Sequence, residues 1–170
     1  MNPAVAELCE RLDVHVELLD RLVEATQQQK KALLGYRPGT AERDERLSAA
    51  NARLTELVTA VDRHGPRTRD AADVVARSYG QADYATLSAL AATLPEPERE
   101  ALRERLSCVR SLTEALAELS QINHLHARRG LQLVSAWRSI VTRGETTPTT
   151  YNAKGRPRSD TPTGSLTLNI

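Results

Sequence analysis

Phenylalanine is absent from this chain of 170 residues, and aromatics of every kind make up only 3% of it. A compact β-sandwich or α/β enzyme fills its core with more rings than that. Leu, Val and Ala in narrow helix–helix seams are the expected core instead. Cysteine is equally scarce. Cys9 and Cys108 lie far apart, and neither belongs to a CxxC pair, which excludes a secreted disulfide framework and a zinc ribbon. Lysine occurs only at positions 30, 31 and 154, so the basic residues are nearly all Arg, and the net charge is only +1. The molecule as a whole therefore lacks the field expected of a nucleic-acid or anionic-membrane binder. No apolar run approaches the length that spans a bilayer. Met1–Glu10 also lacks the basic, apolar, then small-residue order of a signal peptide. The expected compartment is the cytoplasm, without stable membrane insertion.

What is present is helical periodicity. Asn2-Pro3 is a cap followed by proline at the first helical position. Val5, Leu8, Leu12, Leu19, Leu22 and Leu33 then recur in steps of three and four, with His15, Thr26 and Gln29 as polar members of the row. Gly35 is the expected left-handed stop. Thr40 caps a second segment in which Leu47, Ala50, Leu54, Leu57 and Val61 keep the spacing. Gly65-Pro66 interrupts it, yet the same count lands on Thr68, Ala71 and Val75, so a kinked rod is expected rather than two helices. A short piece from Asp83 to Leu94 follows, and Thr93 with Glu96 suggests a capping box. From Pro97 to Arg143 there is no further proline, and Leu102, Leu106, Val109, Leu112, Leu116 and Leu119 mark a stripe. Such a helix would be roughly 70 Å long. Beyond Gly144, Thr, Pro, Gly and Ser dominate without a helical period. These features predict an all-α fold, an elongated antiparallel up-and-down helical bundle over 1–143, with a flexible tail over 144–170.

Sites for chemistry are missing from the pattern. His124 and His126 are two positions apart, so on a helix they point about 200° away from each other and cannot share a tetrahedral ion. No HExxH motif, glycine-rich phosphate loop or nucleophile–base motif occurs. Glu98, Glu100 and Glu104 read as a solvated helical face. Lys154, Arg156 and Arg158 form a small basic cluster without interleaved aromatics, which reads as a solvating tail rather than a nucleic-acid site. No catalytic, cofactor-binding or metal residue is expected, and no enzyme.

The last third of the long helix has more apolar surface than one seam uses. Leu125, Leu131, Leu133, Val134, Trp137, Ile140 and Val141 cover more than one face, whereas a seam takes about two of every seven positions. Two readings stand side by side. The surplus docks a partner's amphipathic helix, or it is a wider buried face against the Asp83–Leu94 piece.

Three features together resemble the FlgN-type flagellar export chaperones of type III secretion. They are the leucine-seam helices with a Lys30-Lys31-x-Leu33-Leu34 step, the segment Gln121-Ile122-Asn123-His124-Leu125-His126, and Thr150-Tyr151-Asn152-Ala153-Lys154-Gly155. The second is similar to the family's asparagine-x-x-asparagine step and the third to its closing tyrosine-x-x-x-glycine signature. The likeness covers Ala4 to Gly155. His126 replaces the second asparagine, Gly65-Pro66 interrupts a normally smooth helix, and a tail follows Gly155. The resemblance implies binding of hook–filament junction proteins of the FlgK and FlgL type, whose helical termini are shielded and delivered to an export gate protein of the FlhA type. It implies client binding in the C-terminal region, which maps onto Leu125, Leu131, Val134, Trp137, Ile140 and Val141. It also implies gate docking at Tyr151 and Gly155. A structural coiled-coil or adaptor protein forming a homodimer is the alternative.

Overall fold

The computed structural model describes residues 2–35, 41–81 and 83–144, with side chains through Ser139. It is all-α: α1 spans Pro3–Leu34, α2 Ala41–Ser78, α3 Leu87–Thr93 and α4 Glu98–Gly144, with no strand among the described residues. The chain divides into two compact units, Met1–Ala127 and Arg128–Ile170.

In the first unit α1 and α2 are antiparallel. Sequence numbers fall along α2 as they rise along α1: the Arg11 carbonyl lies 2.8 Å from His64 Nε2, and Gln29 Nε2 donates to Asn51 Oδ1 at 2.8 Å. α4 runs in the same direction as α1. Asn2 N–H donates to Glu98 Oε1 at 2.5 Å, Arg105 Nη2 to Asp13 Oδ2 at 2.9 Å, and Asn123 Nδ2 to the Thr26 carbonyl at 2.9 Å. The long helices therefore go up, down and up, with α3 inserted before the last.

One apolar cluster holds the end where α1 begins. Val5, Leu8, Cys9 and Leu12 meet Ala71, Ala72, Val75 and Ala76 of α2, with Leu90, Ala91, Leu94 and Leu102 closing over them. The three alanines let the helix backbones approach closely. Each large side chain buried here contributes about 1.5–3 kcal/mol. Burial also pushes the Cys9 thiol pKa up, against the lowering pull of Arg105.

The expected rows are the covered ones. Val5, Leu8, Leu12, Leu19 and Thr26 are buried on α1, and Leu57, Thr68, Ala71 and Val75 on α2. α2 is one continuous helix through Pro66, as the unbroken count past Gly65-Pro66 requires. Gly65 explains part of that tolerance, because a residue before proline is driven out of the helical region by a clash at its Cβ, and glycine has none. At the other end Gly80 has φ 66°, Gln81 N–H reaches the Ala76 carbonyl and Gly80 N–H the Arg77 carbonyl. That pair of bonds is a Schellman stop.

Four local expectations are corrected. Gly35 is right-handed, with φ −84° and ψ −2°, because its N–H still bonds the Lys31 carbonyl in helical fashion. The short piece is helical only from Leu87, where Thr86 Oγ1 accepts from Ala89 N–H. Thr93 forms no capping box, since its hydroxyl donates back to the Leu90 carbonyl inside α3. Glu98 is not on a solvated face. It is buried and accepts from Asn2 N–H and the Tyr79 hydroxyl.

Candidate protein-docking surface

Coverage of α4 is periodic and then stops. Leu102 is buried, and Leu106, Val109, Leu112, Leu116 and Leu119 are half-buried, at steps of three and four, until Asn123 is buried again. From Leu131 to Ser139 every residue is exposed. Asn123 marks the last buried position of the row. It links α4 to α1 through the Thr26 carbonyl and Gln29 Oε1 at 2.8 Å, and Gln29 passes the connection to Asn51 on α2.

The described residues of the second unit are a single helical stretch, Arg128–Gly144. Leu131 is 71% exposed, Leu133 63%, Val134 47% and Trp137 66%. At 100° per residue these four positions fall within an arc of about 160°, wider than the stripe an ordinary surface helix buries. Gln132, Ser135 and Ser139 fall outside it. The sequence lets this segment stay helical because it lacks proline and has one interior glycine, Gly130.

Of the residues singled out for docking, Leu131, Val134 and Trp137 share this arc. Leu125 belongs to the first unit, where it is 47% exposed. Ile140 and Val141 lie within α4, but their side chains are outside the described residues, and Tyr151 and Gly155 lie outside them altogether. Leu133 joins the arc. Its signal was its place in the same apolar excess. Of the Asp83–Leu94 piece, Leu90, Ala91 and Leu94 pack in the cluster around Val5 and Val75.

Nothing in the described residues groups three His, Cys, Asp or Glu side chains in a way that could hold a metal. No helix among them is long and apolar enough to cross a membrane. His15 and His64 stack with ring centroids 5.8 Å apart. Burial, and then the charge of His64, hold the His15 pKa below its ordinary value. Because the Arg11 carbonyl can only accept, His64 Nε2 carries a proton. This pair fills the α1–α2 seam.

The family model described as FlgN protein matches residues 1–159. The chain belongs to the FlgN family. Membership carries the general role of a flagellar export chaperone, a role that involves no catalysis. No curated protein and no solved structure matches. Asn123 is a buried link between α4 and α1, while His124 is exposed and His126 half-buried. The segment that carries Tyr151 and Gly155 falls within the matched residues.

Proposed function

We propose that this FlgN-family protein works in the cytoplasm by laying the helical terminus of a hook–filament junction protein, of the FlgK or FlgL type, along the exposed apolar arc of α4, and that it hands the client to an FlhA-type export gate. The observation that carries this reading is the row Leu131, Leu133, Val134 and Trp137, exposed together on one helix. Magnitudes favour a reversible grip. Burying what these four side chains still expose contributes about 4–7 kcal/mol. Association itself costs about 4–15 kcal/mol in lost freedom and ordering. The two are of similar size, so these contacts alone do not lock the client in place, as a chaperone that must release its cargo requires. Ile140, Val141 and Leu125 extend the surface in this reading, and Tyr151 with Gly155 serves the gate.

The test is binding of a junction-protein C-terminal segment by calorimetry. Leu131→Glu, Val134→Glu and Trp137→Glu should each weaken it by at least about tenfold, with the helical circular dichroism unchanged. Loss of helicity in all three would make the arc part of the core and end the assignment. Tyr151→Ala should spare client binding and weaken gate capture; unchanged capture would remove that role. Light scattering addresses the homodimer: a free monomer that forms a one-to-one complex supports the chaperone, whereas a dimer dissolved by Trp137→Glu supports self-pairing.

A further inference from the structure

We propose that the groove between α3 and the first turns of α4 is a second docking surface, built for an acidic amphipathic helix of a partner protein. It is a space of about 520 Å³ lined by Ser88 and Ala92 of α3 and by Arg99, Arg103, Leu106, Ser107 and Arg110 of α4. The α4 positions follow steps of four, three, one and three, so they share one face of that helix. The groove lies within the first compact unit and involves none of the residues of the apolar arc, and the proposal does not depend on what that arc binds.

The arginines are in different states. Arg99 is held in place, its Nε donating to the Leu94 carbonyl at 3.0 Å and lying 3.5 Å from Glu96 Oε1. Arg103 and Arg110 are exposed and make no hydrogen bond or ion pair among the described residues. Partners at helical spacing exist for both, Glu100 three positions before Arg103 and Glu114 four after Arg110. Elsewhere on the same protein some such neighbours pair, as Arg11 does with Glu7, Arg46 with Glu42 and Arg53 with Glu56, and others, such as Arg21 and Glu17, do not. Two guanidinium groups that line the groove thus have no carboxylate partner among the described residues and are open to one from outside.

The spread of the charges selects the occupant. Arg99 and Arg110 are separated by about 16 Å of helix rise, too far to converge on one phosphate or small anion. Carboxylates one and two turns apart on a helix laid alongside match that ladder, and each can be gripped by the two-pronged guanidinium. Leu106 and Ala92 offer apolar contact for the methylenes of glutamate or for an adjoining leucine. Nucleic acid is disfavoured because no aromatic side chain lines the groove and the chain's net charge is only +1.

The experiment uses the full chain and fluorescence anisotropy of a labelled, roughly five-turn helical peptide with glutamates along one face and leucine beside them. A companion peptide carries glutamine in place of every glutamate, and labelled polyuridylate and inorganic phosphate are run in parallel. The acidic peptide should bind, the glutamine peptide should not, and affinity should fall as salt rises. Arg103→Glu with Arg110→Glu should weaken binding by at least about tenfold, with unchanged circular dichroism. Arg103→Gln with Arg110→Gln should give a smaller loss in the same direction, and Leu131→Glu none. Equal binding by the wild-type and charge-reversed chains, or no peptide binding at low salt, overturns the proposal. So does binding of polyuridylate or phosphate in place of the peptide, which would make the groove a site for those anions. Failure of any of these leaves client binding at the apolar arc untouched, so the two readings are separable.

Discussion

Glu98 is a carboxylate that the fold has taken out of water and given two donors. The Tyr79 hydroxyl and Asn2 N–H both point at it, and they hold its pKa below the ordinary value, the tyrosine bond acting most and the backbone bond next, against the upward push of burial. A carboxyl whose pKa is lower folded than unfolded adds stability that is complete above the unfolded value and is lost as pH falls through the folded one. The ordinary value for such a carboxyl is 4.5, so this contribution should fade below about pH 4.5. His15 acts in the same direction at higher pH. Its depressed pKa means that the unfolded chain takes up a proton first, from the ordinary imidazole value of 6.5 downward. Urea denaturation at a series of pH values should therefore show two acid losses, the upper abolished by His15→Asn and the lower by Glu98→Gln. A lower step unchanged in the Glu98 variant would assign it to other carboxylates. At neutral pH Glu98→Gln should cost about 1–2 kcal/mol, because an amide offers one acceptor to two donors. Asn123 differs. It donates two bonds but has a buried Oδ1 without a partner among the described residues. Asn123→Ala should lose about 1–3 kcal/mol, whereas Asn123→Leu should recover much of it, since a buried polar link of this kind specifies a register more than it stabilises one. Denaturation midpoints of the two variants decide between those roles.

Among the elements, the helices were legible because their rows repeat over many turns, and a period of three and four has only one interpretation over such lengths. The α1 row from Val5 to Gln29 and the α2 row from Leu47 to Val75 needed no partner to be seen. The pairings of their polar members were not legible. His15 with His64, or Thr26 with Asn123, join positions remote in sequence, and only the up–down–up topology brings them together. Glu98 was misread for the same reason: it sits in a run of charges, and its donors come from the chain's start and from the end of α2. Local stops fared less well than rows, since Gly35 and Thr93 were judged by residue type, while their hydrogen bonds depend on where the next element begins. Pro66 carries the element-scale prediction. It lacks the N–H that would bond the Asp62 carbonyl, and it is exposed within an otherwise regular helix. Pro66→Ala should raise stability by about 1–3 kcal/mol, read from urea denaturation. A loss instead would mean that the local geometry around Pro66 is needed for the packing of His64 and Thr68.

At the scale of the whole molecule, the candidate surface was legible as an excess of apolar residues but not as an exposed one, because counting cannot tell a docking face from a wide core face. Exposure at Leu131, Leu133, Val134 and Trp137 has a consequence for how stability is distributed along α4. Up to Asn123 the helix is fastened by Leu102 in the core, by Arg105 to Asp13 and by Asn123 to Thr26. A helical stretch with its apolar side in water keeps only its own backbone bonds, and short helices so placed are marginal. Amide hydrogen exchange should thus be slow from Leu102 to Asn123 and at least about a hundredfold faster from Leu131 to Ser139, the protection there rising when a junction-protein terminus is added. Protection in the free protein that persists on dilution would place a covering within the monomer and remove the surface. Protection that disappears on dilution would place a second copy on the same side chains, and client binding would then have to compete with it. Fast exchange that slows only with client leaves one arrangement consistent with all three behaviours: a fastened bundle that presents a loosely held apolar helix and lets the cargo complete its fold.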